Sequence, residues 1–185
     1  AFNKDNYKIT IDEGTLEITA NHTAIQVRAA TDEKVYDGTP LTNAKTTIEN
    51  LPEGFTYKAK VVGSVTHVDE GTVDNKITEI HIYKDDQDVT NQFDAITHMD
   101  GTLKITARPL TMTSASDEKD YDGIALANNK VTVKGKIFND EVYDITATGA
   151  QIEVGTSANT IVYKMTKHAE KDYAITLEEG LLTVN

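Results

Sequence analysis

The chain has 185 residues, no cysteine, no tryptophan and a formal net charge of −12. That length admits one large or two small domains, and the charge repels DNA, RNA and anionic membranes over most of the surface. The missing thiols exclude disulfides, cysteine nucleophiles and thiolate-bound zinc. With 38% hydrophobic residues and only 4 Phe, the cores must be lean and built from Val, Ile, Leu and Tyr.

From the start of the chain, Tyr7-Lys8-Ile9-Thr10-Ile11 alternates apolar with polar, Asp12-Glu13-Gly14-Thr15 turns, and Leu16-Glu17-Ile18-Thr19 alternates again. This pattern predicts a β-hairpin. Next comes Lys34-Val35-Tyr36-Asp37-Gly38-Thr39-Pro40-Leu41, read as a strand ending in a tight turn. There Asp37 can accept from its own downstream backbone, and Gly38 supplies a positive φ. Tyr36 and Leu41 are expected to point inward and Val35 outward. Leu41 to Asn50 is the best helix candidate, yet its Thr and Asn content limits it to a turn or two, and Thr46-Thr47-Ile48 favours a strand. Further strands are expected over Tyr57 to Val61 and Lys76 to Tyr83, with the acidic stretch Lys84 to Asp88 as a surface loop. Phe93 to Ile96, a turn at Asp100-Gly101, and Leu103 to Ile105 read as a second hairpin. The chain then runs through Pro109 into another strand without a Gly/Ser linker.

From that point the pattern starts again. Lys119-Asp120-Tyr121-Asp122-Gly123 repeats the Tyr36 motif, Tyr143 to Ala147 repeats Tyr57 to Val61, and Gly155-Thr156 with Asn159 repeats Gly71-Thr72 with Asn75. The closing hairpin returns as Tyr173 to Leu177, Glu179-Gly180 and Leu182 to Val184, at a period of about 85 residues. Glycine at the same place in all three turns (Gly14, Gly101 and Gly180) suggests a positive φ there. The closing segment occurs three times and the Tyr-Asp-Gly motif twice. Residues 1–20 are therefore expected to be the closing hairpin of a preceding, truncated repeat, 21–108 the first full repeat and 109–185 the second, in a fragment of a longer protein. The apolar face of that orphan hairpin is expected to dock elsewhere, with self-association through residues 1–20 as one outcome.

Candidate chemistry is sparse. Asp32, Glu33 and Asp37, and likewise Asp117, Glu118, Asp120 and Asp122, could be read as calcium ligands, but neither cluster has the spacing of a calcium loop, and turn chemistry accounts for them. The histidines His22, His67, His81, His98 and His168 hold no equivalent positions and form no His-x-x-x-His pair. Ser64, Ser114, Ser116 and Ser157 lie in no nucleophile motif. Tyr36, Tyr57, Tyr121 and Tyr143 are assigned to core. A lysine cross-link to Asn or Asp stays open, as does a carboxylate pair meeting in three dimensions. The expectation is a chain with no catalytic, cofactor or metal site, and with ligand-binding residues unidentified.

Lys34 to Leu41, the middle Gly71-Thr72 or Val154-Gly155-Thr156, Asn6-Tyr7-Lys8-Ile9 or Asp172-Tyr173-Ala174-Ile175, and the final Gly-x-Leu pattern together resemble the MBG (mostly beta-grasp) repeats of large bacterial surface proteins. The resemblance implies a mainly β chain of two tandem β-grasp-like domains, serving as a stalk or spacer in a cell-wall-attached or secreted adhesin-like protein. Two other roles remain open: an adhesive module that contacts glycans or a host or matrix protein, and an accessory pair of an extracellular enzyme.

Overall fold

Short runs of alternating β-branched, aromatic and polar residues form strands along almost the whole chain, and the protein is mainly β. The computed structural model describes residues 6–8 and 10–185. In chain order the strands are β1 (Ile25–Ala29), β2 (Asp32–Val35), β3 (Thr46–Glu49), β4 (Phe55–Val62), β5 (Thr72–Lys84), β6 (Gln87–Asp88), β7 (Ile96–Met99) and β8 (Gly101–Thr106). They continue as β9 (Arg108–Ser114), β10 (Asp117–Lys119), β11 (Val131–Lys134), β12 (Val142–Ala147), β13 (Gly155–Asn159), β14 (Ile161–Met165), β15 (Tyr173–Glu178) and β16 (Gly180–Val184). A single α-helical turn, α1 (Ala169–Asp172), precedes β15. Among the described residues no helix is long and apolar enough to cross a membrane.

One pairing pattern occurs twice. β1 lies between antiparallel β3 and parallel β7, as β9 lies between antiparallel β11 and parallel β15. β8 pairs with parallel β2 and antiparallel β5, as β16 pairs with parallel β10 and antiparallel β13. β4 with β5 corresponds to β12 with β14, so the long strand β5 is split into β13 and β14 in the second copy. Among the described residues no strand of one copy pairs with a strand of the other.

The closing hairpins expected from sequence are not hairpins. β7 and β8 are neighbours in the chain but belong to different sheets, and so do β15 and β16. The chain turns a corner between sheets at Gly101 and Gly180, and neither glycine has a positive φ. A side chain is excluded there for lack of room. A Cβ on Gly101 would run into the carbonyl of Ala30, and one on Gly180 would sit 2.6 Å from the carbonyl of Ala115. At Gly38 and Gly123 the expected positive φ is present, 77° and 76°.

Other expectations divide. Leu41 to Asn50 holds no helix; it contains β3 instead. The acidic stretch is a surface hairpin turning at Asp85 and Asp86, both at positive φ. In the stretch expected to form the first hairpin, none of the described residues of 6–20 is in a strand, and Ile11, Leu16 and Ile18 are exposed; Ile9 and residues 1–5 lie outside the described residues. A lone hairpin with no sheet to join is marginal in water, which is the physical reason for the difference. The expected docking of its apolar face is not seen at these three residues.

Burial follows the sheets. Ile25, Ile82, Val89 and Phe93 form one cluster at the start of the first copy, and Leu126, Leu182 and Val184 form a small one at the end of the second. The largest cluster runs from Leu41, Val65, Leu103 and Ile105 of the first copy through Tyr36 into Leu110, Met112, Val142, Ile161 and Tyr173 of the second. The two copies thus have separate sheets but share a continuous apolar interior where they meet.

Candidate functional site

Among the described residues, that meeting place is the most elaborate side-chain constellation. Only Ala107 separates β8 from β9, so the end of one copy leads straight into the other. Asp37 fixes the turn after β2. Its Oδ1 accepts from the Thr39 N–H at 3.0 Å and from Lys34 Nζ at 2.7 Å, and these bonds, Lys34 first, hold its pKa down at about 2. The turn directs Tyr36 toward the second copy, where it is 1% exposed. Its ring meets Phe138 and Tyr173 edge-on at centroid distances of 6.2 and 5.6 Å, and the Arg108 guanidinium lies over Phe138.

Glu141 is the polar centre of the junction. The Tyr36 hydroxyl donates to its Oε1 at 2.7 Å, and the Tyr173 hydroxyl donates to its Oε2 at 3.2 Å. Tyr173 in turn accepts the Phe138 N–H at 2.8 Å. One buried carboxylate therefore receives a hydroxyl from each copy. Burial, reinforced by the Glu141 hydrogen bond and charge, raises the Tyr36 pKa well above the usual phenol value. Burial also raises that of Tyr173, against the lowering effect of the Phe138 N–H.

Beside this group lie two crossed His–Asp pairs. His67 Nδ1 stands 2.7 Å from Asp172 Oδ2, and Asp172 Oδ1 accepts the Val68 N–H at 2.8 Å. His168 Nδ1 stands 2.8 Å from Asp69 Oδ2, and the two imidazoles stack at 4.4 Å. Each copy contributes one histidine and one aspartate. Asp172, at the end of α1, is completely buried, and its two bonds exist only when the copies are in contact.

A buried aspartate holding an imidazole is also how a general base is oriented. Among the described residues, no serine or threonine hydroxyl bonds to either imidazole. Each pair joins a histidine of one copy to an aspartate of the other.

The remaining sequence candidates are dispersed. Asp32 and Asp117 accept from the next backbone N–H and from Asn43 or Asn128, while Asp122 repeats the role of Asp37. Asp37 and Asp122 cap turns, whereas Glu33 lies 3.5 Å from Lys104 Nζ and Glu118 accepts from Asn185 Nδ2 at 2.7 Å. His22, His81 and His98 lie next to Asp94, Asp88 and Asp100 on the surface. Among the described residues no three His, Asp or Glu side chains are grouped to hold a metal. Ser114 is buried, donating to the Asn159 carbonyl and accepting the Gly180 N–H, and Ser116 accepts the Leu181 N–H. The buried acids Glu141 and Asp172 bond to tyrosine, histidine and backbone rather than to lysine.

The assignment of four tyrosines to core needs correction. Tyr36 is buried at the junction, outside its own copy's centre, while Tyr121, in the same motif, is 53% exposed. Tyr57 is half-buried and donates to the Thr46 carbonyl. Tyr143 is exposed because β12 carries a bulge between Tyr143 and Thr146, with Asp144 at φ 53°, which reverses the facing of its residues and buries Val142. Leu41 and Leu126 are buried and Val35 is exposed, as expected.

Sequence reasoning missed Phe138, Glu141, His67, His168 and Asp172 as a group. The one available signal was negative: His67 and Glu141 lie in loops where the repeat pattern breaks, and such positions are free to make contacts peculiar to one copy. Comparison with protein families, curated proteins and solved structures finds no match to the chain.

Proposed function

We propose that the chain is a non-catalytic, tandem β-grasp-like repeat segment of MBG type, serving as a stiff spacer in a bacterial surface or secreted adhesin-like protein. The observation that carries this reading is Tyr36, almost wholly buried between the copies and bonded to Glu141. A spacer transmits position only if its joints are fixed. This joint is a one-residue link flanked by a shared apolar interior, a buried carboxylate and two crossed His–Asp pairs. It lacks the properties of a flexible linker, which would be polar, Gly/Ser-rich and solvated. The acidic surface fits the same role by opposing lateral association of neighbouring molecules.

Small-angle scattering tests this reading. The expected result is a single elongated particle of two bodies in fixed contact, with Tyr36→Ala broadening the distance distribution as the joint loosens. A wild-type profile already matching a flexible ensemble, or one spherical body, would end the spacer reading.

A further inference from the structure

The Tyr-Asp-Gly turn has the same construction in both copies. Gly38 and Gly123 have the same φ within a degree, Asp37 and Asp122 cap the residue two positions on, and Lys34 and Lys119 bond to those aspartates. The Tyr36 N–H donates to the carbonyl of Thr106, and the Tyr121 N–H to that of Asn185. Two rings are therefore presented alike, but only the first is covered.

At positions that correspond to the polar contacts of the first copy, the second copy carries apolar residues. Ile124 stands in place of Thr39. The shorter loop Ile152-Glu153-Val154 replaces Thr66 to Glu70, the loop whose His67, Val68 and Asp69 grip the second copy. Ile124, Ile152 and Val154 are exposed together with Tyr121. Among the described residues, Leu126, Leu182 and Val184 form the small buried cluster at this end; they are the counterparts of Leu41, Leu103 and Ile105, which in the first copy open into the shared interior.

From this correspondence we infer that the face formed by Tyr121, Ile124, Ile152 and Val154 is a docking surface for a further repeat of the same fold, which receives Tyr121 between two aromatic rings and a carboxylate, as Phe138, Tyr173 and Glu141 receive Tyr36. The inference rests on reading the chain as an end-to-end array, and it specifies how the next unit attaches. The contact is heterologous: one end of a unit meets the opposite end of the next, so it propagates along a line and does not close into a dimer. With isoleucine and valine in place of the histidine and aspartate, this joint depends more on apolar burial and less on pH than the one at Tyr36.

The test extends the intact chain with a second copy of residues 107–185 placed directly after Asn185, which holds the position of Thr106. Nitration of single tyrosines by tetranitromethane, read by peptide mass spectrometry, reports their exposure. In the 185-residue chain Tyr121 should react and Tyr36 should be protected. In the extended chain Tyr121 should become protected by about tenfold or more, and Glu141→Ala in the added copy should restore its reactivity. If the added copy folds and Tyr121 reacts as before, the inference is overturned. It is equally overturned if the added copy, carrying His168→Leu and Asp172→Leu to match the apolar loop that faces it, stays unfolded beside two native ones. A dimer of the 185-residue chain that Tyr121→Ala abolishes would assign the face to self-association instead. Scattering of the 185-residue chain judges the spacer reading separately, so the two can fail independently.

Discussion

Asn75 and Asn159 show how a single side chain holds the corner between sheets. Asn75 Nδ2 donates to the carbonyls of Ala30 and Asn43 at 2.9 and 2.8 Å, and Asn159 Nδ2 to those of Ala115 and Asn128 at 2.9 and 2.7 Å. Ala30 and Ala115 are the corner residues that also crowd Gly101 and Gly180. Gly63 and Gly149 complete the unit, because a Cβ on either would fall 2.7 Å from the asparagine Oδ1. Each asparagine, itself buried, thus satisfies two backbone acceptors at the corner between sheets. Asn75→Ala and Asn159→Ala should each destabilise the chain by about 1–3 kcal/mol, since two part-buried carbonyls lose their donor. Urea unfolding measures this, and a cost comparable to an exposed Asn→Ala change would contradict the role.

At the scale of the element, the turn after β2 and its counterpart after β10 present the same tyrosine with different consequences. Tyr36→Ala removes a buried aromatic ring and leaves Glu141 with one hydroxyl, at an expected cost of about 3–5 kcal/mol. Tyr121→Ala should change stability by no more than about 0.5 kcal/mol, as at an exposed site. Comparing the two variants in one denaturation series isolates the junction from the motif. Equal losses would mean that the tyrosine supports its own turn and not the contact between copies. The bulge in β12 makes a related point: one extra residue decides that Tyr143 faces water although its sequence counterpart Tyr57 is half-buried.

In the molecule as a whole, the crossed pairs make the joint depend on pH. Burial lowers the pKa of His67, but the hydrogen bond and charge of Asp172, with the charges of Glu70 and Asp69, raise it by more, to a net value above 6.5. Tyr36 and His168 complete its surroundings as ring contacts. A raised histidine pKa contributes stability that is complete below the unfolded value of about 6.5 and is lost as pH rises through the folded value. Asp69 has the opposite sign: the hydrogen bond from His168 lowers its pKa, so its contribution is present above about 3.8 and lost on acidification. The junction should therefore be firmest between about pH 4 and 6.5. Below that range Asp69 loses its charge beside the two stacked rings. Denaturation midpoints across pH 3 to 9 should trace this maximum, and His67→Gln should flatten the alkaline limb. A wild-type profile flat from pH 5 to 8 would falsify the assignment.

By itself the sequence determined the β character, the period, the turn caps at Asp37 and Asp122, the positive φ at Gly38 and Gly123, and the inward Leu41 and Leu126. These follow from interactions within a few residues or from alternation along a strand, and both are written locally. Tertiary structure alone decided that β7 and β8 separate into two sheets, that Gly101 and Gly180 are required by close approach rather than by φ, and that Tyr36 is covered while Tyr121 is bare. Each of these depends on what lies opposite in space. Glu141, His168 and Asp172 reach Tyr36 and His67 across roughly a hundred residues of chain, and no local pattern encodes which surface will be there to meet them.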